Sequence, residues 1–387
     1  MPGDIQVAAY YFPNYHQEPR NAAHYGKGWN EWALVRAAKP RYPGHLQPKT
    51  PVWGYEDESD PAVFARKIDA AADHGIDTFL FDWYWHDEGI FLQRALEEGY
   101  LCAPNRSRMK FALMWANHDW VDIFPAKAGK TPALHYHGAV TPDTFAQVTD
   151  YVIQRYFYQP QYWQLDGCPY FSIYELYRLI EGFGSVEATR QALMDFRQRT
   201  IAAGFPDLHL NAVIWGVQIL PGEQTIKDPN SLLEALGFQS VTSYVWVHHV
   251  PLAPFPRASY TAAQAEMETF WACAQHDFAL PYYPNVTMGW DASPRTNQDG
   301  PFLDAGYPYT PVLEGNSPAA FERALRAARA FLAQRAARDR ILTINAWNEW
   351  TEGSYLEPDT VHGMQYLEAV RNVFGPVRKQ TAEQHAP

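Results

Sequence analysis

Along residues 341–349 apolar and polar positions alternate: Leu342, Ile344 and Ala346 fall on one face of an extended chain, and Thr343, Asn345, Trp347 and Glu349 on the other. The pattern predicts a strand with one greasy face and one polar face. Seven earlier stretches read as strands by the same signals: residues 5–12, 75–87, 109–120, 168–176, 208–216, 240–249 and 280–295, the last weakened by Pro284. A helical stretch follows each. The clearest begins with Asp60 as N-cap and Pro61 at the first helical position, places Phe64, Ile68 and Ala71 at helical spacing, and stops at Gly75. Others are predicted over residues 91–100, from Thr141 and Pro142 onward, through about 203 with a stop at Gly204, and over 232–236, 262–275, 319–337 and 362–374.

Eight strands, each followed by a helix, predict an α/β fold: a (β/α)8 TIM barrel with long loops at the carboxyl ends of the strands. An open doubly wound sheet is the alternative, but no G-x-G-x-x-G follows the first strand. Residues 1–376 are expected to form a single catalytic domain and residues 377–387 a disordered tail. Residues 17–59 show no strong periodicity of their own, and so long a segment in a compact domain points to function. The four letters WNEW occur at residues 29–32 and again at 347–350, in different contexts, and read as a coincidence.

Composition narrows the class of partner. The net charge is -12, from 31 basic and 43 acidic residues, with no basic run. That gives little electrostatic support for nucleic acid or an anionic membrane and favours a neutral or polar substrate. Aromatics make up 15% of the chain, including 14 Trp and 24 Tyr, a common trait of sugar-binding grooves. Cys102, Cys168 and Cys273 are odd in number and far apart, which predicts reduced thiols and a reducing compartment. No apolar run reaches membrane-span length, and a strand beginning at Ile5 leaves no room for a signal peptide, so a cytoplasmic chain is expected.

In such a barrel the working groups project from the carboxyl ends of the strands. Those ends carry, in order, Tyr11, Asn14 and His16; Asp82, Tyr84, His86 and Asp87; Asn117, His118, Asp119 and Trp120; and Tyr174 and Glu175. The later strands add Trp215, Tyr244, Trp246, His248, Trp290, Asp291 and Arg295. The last strand runs into a loop with Glu349, Glu352 and Glu357 interleaved with Trp347, Asn348, Trp350 and Tyr355. Flat aromatic surfaces beside paired acids suit cleavage of a sugar acetal: the rings stack on a pyranose, and the acids move protons at the glycosidic bond. Each residue taken singly has an ordinary structural reading as a cap or a core aromatic. The concentration at one end of every strand favours a site, with Glu349 and Glu352 facing one pocket together with Asp82, Tyr244 and Trp290.

A metal centre is the rival chemistry. His86 with Asp87, His118 with Asp119 and His248 with His249 are sequence neighbours, which point to opposite faces of a strand, and no H-E-x-x-H helix exists. No metal or organic cofactor is expected. There is no G-x-S-x-G elbow for a serine hydrolase either.

The segments YYFPNYH, GKGWNEW, FALMWANHDW, GWDASPR and AWNEWTEGSYLEPD, spread over most of the chain, resemble the glycoside hydrolase family 99-like group, also labelled WbsX-type. Family 99 proper comprises (β/α)8-barrel endo-acting α-mannosidases and mannanases that retain configuration through a 1,2-anhydro sugar. The resemblance implies that Glu349 is the base toward the sugar 2-hydroxyl. It makes Glu352 the acid that protonates the leaving oxygen and then activates water. A carboxyl acting as acid near neutral pH needs a raised pKa, which a second carboxylate walled by Trp347 and Trp350 would supply, the pair titrating as one unit. Where the group often shows W-A-N-E-N-W, this chain has His118 and Asp119. WbsX-type members are also labelled glycosyltransferases of polysaccharide assembly, so transfer is the second reading and a non-catalytic carbohydrate-binding barrel the third. The chain shows no Asp-x-Asp motif and no basic cluster beyond isolated arginines such as Arg295.

Overall fold

The computed structural model describes residues 5–375, so the expected tail at 377–387 lies outside the described residues. Parallel strands form a barrel: β1 (Gln6–Tyr11), β2 (Thr78–His86), β3 (Lys110–Trp115), β4 (Cys168–Ile173), β5 (His209–Val213), β6 (Ser240–Thr242), β7 and β8 (Ile341–Asn345). Strand β7 comes in two pieces, Tyr282–Tyr283 paired with β6 and Asn285–Thr287 paired with β8. Pro284 lies between them, where it has no amide hydrogen to offer the ladder, but its carbonyl still accepts from Thr343 N at 3.0 Å. The barrel therefore closes through the broken strand. At the other seam β1 pairs β8 in register Val7↔Leu342 and Ala9↔Ile344.

The two faces of the sheet separate by side-chain parity. Inside, small polar groups bond to one another: Ser172 Oγ donates to Asn211 Oδ1 at 2.8 Å, Asn211 Nδ2 to Ser240 Oγ at 2.8 Å, and Asn285 Nδ2 to Thr343 Oγ1 at 3.1 Å. Outside, apolar residues such as Phe79, Phe81 and Phe111 meet the helices and are fully buried, as expected for a parallel sheet covered on its outer face.

The helices are α1 (Pro19–Tyr25), α2 (Trp32–Ala37), α3 (Pro61–Asp73), α4 (Pro142–Val152), α5 (Leu176–Phe183), α6 (Val186–Ala202), α7 (Pro229–Leu236), α8 (Tyr260–Asp277), α9 (Pro318–Ala333) and α10 (Gln365–Phe374). Caps fix their starts: Asp60 accepts from Ala62 N at 2.8 Å before Pro61, and Thr141 accepts from Thr144 N at 3.3 Å before Pro142. The helix predicted after the fourth strand is two helices, because Gly184 takes a left-handed conformation that ends α5. Residues 17–59, read as structureless, carry α1 and α2. Among the described residues no helix is long and apolar enough to cross a membrane. All three cysteines are free.

Candidate active site

Beyond β8 the chain doubles back in a tight hairpin, Asn348–Glu349 against Ser354–Tyr355, around the 3-10 turn Trp350–Glu352. Gly353 closes that turn at φ +66°, so near the neighbouring loop that a Cβ would lie 2.6 Å from the Asp291 Cβ; only glycine fits. Asp291 N in turn donates to the Glu352 carbonyl at 2.5 Å. The Asp291 carboxylate accepts from Ser293 N at 3.1 Å, at the head of the turn Ser293–Arg295, and is gripped by His45 Nε2 at 2.8 Å and Gln47 Nε2 at 2.7 Å. Burial opposes its charge, but His45, Ser293 and Gln47 outweigh burial and bring its pKa down to about 2. Two turns are thus stitched together, one bearing Glu352 and the other Arg295.

Arg295 is buried among acids. Its Nη1 donates to Glu352 Oε1 at 2.6 Å and its Nη2 to Glu349 Oε1 at 2.7 Å. Nε and Nη2 reach Glu31 Oε1 at 2.8 and 2.7 Å, and Nη1 also contacts the Tyr307 hydroxyl. Tyr307 donates to Glu352 Oε1 at 2.6 Å. The guanidinium lies between the rings of Phe12 and Phe124, at 5.3 and 5.4 Å. Burial pushes the Glu349 carboxyl well above the ordinary range; Arg295 pulls it back, and Glu352, Glu31 and Asp82 add to the rise. Glu352 is also raised by burial, with Arg295 and the Tyr307 hydrogen bond opposing. One cation cannot neutralise several neighbouring carboxylates, and Glu349 and Glu352, which raise each other's environment of negative charge, titrate as a coupled pair.

Both glutamates open on a cavity of about 690 Å³ at the carboxyl end of the barrel, lined also by Asp82, Tyr84, His118, Asp119, Tyr174, Tyr244, Trp290 and Arg295. Asp82 Oδ2 accepts from the Tyr244 hydroxyl at 2.8 Å, whereas the buried Asp82 Oδ1 has no partner. On the same wall Tyr174 donates to Glu223 Oε1 at 2.7 Å, and Glu223 Oε2 accepts from Ile219 N and Leu220 N at 2.8 Å each. Burial raises Glu223 to about 7. His248, kept neutral by burial and by His249, has its Nδ1 buried and unpartnered.

The sequence matches, over residues 7–370, the family described as Glycosyltransferase WbsX. The chain belongs to that family. A curated relative, the Uncharacterized protein WxcX of Xanthomonas campestris pv. campestris (strain B100), is 27% identical over 378 residues, covering 95% of this chain and 49% of the relative. The chain thus spans about half the length of the curated relatives it matches. Among solved structures, the GH99 endo-alpha-mannosidase from Bacteroides thetaiotaomicron is similar at 14% identity, TM-score 0.55, over 95% of this chain and 96% of that one. A glycoside hydrolase-like protein is similar at 16% identity, TM-score 0.58, over 97% and 95%. These likenesses establish a shared TIM-barrel fold.

Several residues expected to touch substrate in this WbsX chain lie elsewhere, for reasons of parity and packing. On β1 it is Tyr10 that faces inward, against Tyr244 at 4.7 Å, while Tyr11 faces α3 and donates to Glu58 Oε2 at 2.7 Å. His86 continues the inward parity of Asp82 and Tyr84 but sits one step too far along, packed on Phe91 and Tyr136. Asn117 points out of the barrel and exchanges two hydrogen bonds, at 2.7 and 2.8 Å, with the backbone of Glu175. Trp246 turns its indole onto the Asn285 carbonyl at 2.9 Å, beside Tyr260, and Trp215 lines an apolar cavity behind Tyr174. Asp291 positions Arg295, as described.

The tryptophans beside the pair are also outside the cavity. Trp347 and Trp350 are fully buried and donate, at 2.9 and 2.8 Å, to the two oxygens of Glu357, which Lys67 neutralises at 2.8 Å. Asn348 clasps Phe12 by its backbone N and O. Glu357 and these three residues therefore hold up the hairpin from behind and leave the pair exposed to the cavity. Conversely, Glu31, Tyr307, Glu223, Phe12 and Phe124 were not singled out as site residues. For Glu31 a signal existed: the two WNEW segments place Glu31 and Glu349 on the same guanidinium.

Proposed function

We propose that this WbsX-family barrel is a glycosidase-type enzyme that breaks an O-glycosidic bond of a glycan with Glu349 and Glu352, retaining configuration and using neither metal nor organic cofactor. The observation that carries the reading is the placement of two buried glutamates on adjacent nitrogens of one arginine at the barrel mouth. Every hydrogen bond the pair accepts falls on Oε1 of its carboxyl, so Oε2 of each is unengaged by Arg295 and Tyr307. Glu352, raised by burial, supplies the proton to the leaving oxygen; Glu349, in the ionised form that Arg295 favours against its burial, draws the proton from the sugar 2-hydroxyl, and the 2-oxygen closes on the anomeric carbon. Water then opens the anhydro ring at the anomeric carbon, giving a proton to Glu352, and the released 2-oxygen recovers its proton from Glu349. Asp82, Tyr244, His118 and Trp290 bind the sugar that reacts. Among the described residues no group of three or more His, Cys, Asp and Glu has the arrangement to hold a metal ion. The free thiols support a reducing compartment, the cytoplasm, as the place of action.

The role split has a direct test. A glycoside with a leaving group that needs no protonation should restore turnover to Glu352→Gln by about 10²-fold or more, general acid assistance being typically 10²- to 10⁴-fold, and leave Glu349→Gln inactive. Equal rescue of both variants would contradict the assignment.

A further inference from the structure

The family description speaks of transfer, and the carboxyl pair speaks of cleavage. The charge and hydrogen-bond inventory of the cavity reconciles them. Arg295 is the one Lys or Arg among the described residues that line it. A guanidinium has five N–H donors. Four hydrogen bonds engage them, from Nε to Glu31, from Nη1 to Glu352 and Tyr307, and from Nη2 to Glu349, and Nη2 lies also 2.7 Å from Glu31 Oε1. Arg178, behind the lining residue Asp119, is paired through its Nη atoms with Asp119 at 2.8 Å and Glu181 at 2.6 Å, and its Nε is buried without a partner. Both guanidinium charges are thus matched by protein carboxylates, whereas a diphosphate needs charge-assisted donors of its own. Two residues that line the cavity, Asp82 and His248, each keep one buried polar atom without a partner, Oδ1 and Nδ1, so the neutral polar groups of its lining are not all spent within the protein. Around them Phe12, Trp120, Phe124, Ile219 and Leu220 make a largely apolar wall, with Trp120 and Phe124 stacked at 5.3 Å. Such a wall takes the C–H face of a second sugar and disfavours loose water beside the acids.

Resting on the carboxyl-pair reading, we propose that the site is a transglycosylase, which moves a glycosyl group from an existing glycosidic bond to a hydroxyl of an uncharged acceptor sugar without a nucleotide-sugar donor. The steps balance. The bond from the anomeric carbon to the bridging oxygen breaks, and that oxygen takes the Glu352 proton as the departing glycan leaves. The 2-oxygen, its proton held by Glu349, closes on the anomeric carbon. The acceptor oxygen then bonds to that carbon and releases its proton to Glu352, while the bond from the anomeric carbon to the 2-oxygen breaks and the 2-oxygen recovers its proton from Glu349. One acetal has been exchanged for another.

Two measurements test the proposal on the full chain. In calorimetric titration, UDP, GDP, UDP-glucose and GDP-mannose at millimolar concentration, with and without magnesium, should show no saturable binding; saturable binding of any of them overturns it. In the second, a panel of unlabelled α- and β-linked manno-, gluco- and galacto-oligosaccharide donors is mixed with fluorescently labelled oligosaccharide acceptors, and acceptor length is followed. The expected result is labelled acceptors that grow without nucleotide, with growth lost in Glu352→Gln. Donors that shorten while acceptors keep their length overturn transfer but leave cleavage standing. Growth only when nucleotide sugar is added, or no change in any glycan of the panel, overturns both.

Discussion

At Arg295 five donors meet three carboxylates and a phenol, and the protonation of the pair depends on how that contest is settled. Tyr307 weighs on one side of it, because its hydrogen bond to Glu352 Oε1 favours the ionised carboxyl. Tyr307→Phe removes that bond, so the Glu352 pKa should rise further and the acid should stay protonated to higher pH. The expected outcome is an alkaline limb of kcat/KM displaced upward in pH, read from a pH–rate profile; a limb displaced downward or unmoved would contradict the geometry. At this scale the sequence was only partly legible. Alternation along β2 put Asp82 and Tyr84 on the inward face, where they lie. It did not reveal that Tyr10 and not Tyr11 is the inward tyrosine of β1, because both neighbours are aromatic and equally buried. Nor could it assign Trp347, since the strand parity ends at Asn345, after which the Trp347 amide donates to Tyr10 O at 2.7 Å and its indole turns to Glu357.

Among the elements, α3 gives the hairpin after β8 its rear support. Its Lys67 is 3% exposed and bonds the Tyr11 hydroxyl and Glu357 Oε1 at 2.8 Å each, with Glu58 Oε2 at 3.6 Å. Glu58 and Glu357 in turn hold Tyr15 N and the two indoles of Trp347 and Trp350. Lys67→Met keeps the bulk of the stem and strips the charge, leaving two buried carboxylates without their cation. The expected loss is about 3 to 5 kcal/mol of folding stability, measured by denaturant unfolding. A loss under about 1 kcal/mol would mean that the network is not what fixes the hairpin. The strands and capped helices were legible because burial on alternate faces and N-cap chemistry leave local marks, as at Asp60 and Thr141. The short helices α1 and α2 were not, since six or seven residues carry too little periodicity and their packing is supplied by distant parts of the chain.

Over the whole molecule, a barrel closed through the broken strand β7 gathers acids from sequence positions as distant as Glu31 and Glu352 around one arginine. The fold was legible as a whole because eight strand and helix units repeat along the chain. The convergence of Glu31 was not, because it depends on where residues 17–59 cross the barrel mouth, and no local pattern encodes that. The central claim is that Glu349 and Glu352 break a glycosidic bond. Its most direct test is the initial rate at which glycosidic bonds of a glycan panel are broken, read as the change in glycan chain lengths, by the wild-type chain, Glu349→Gln and Glu352→Gln, with the fold of each variant verified by circular dichroism. The account predicts breakage by the wild type and a fall of about 10²- to 10⁴-fold in each folded variant. A folded variant that keeps a rate within about 10-fold of wild type, well inside that range, would contradict it.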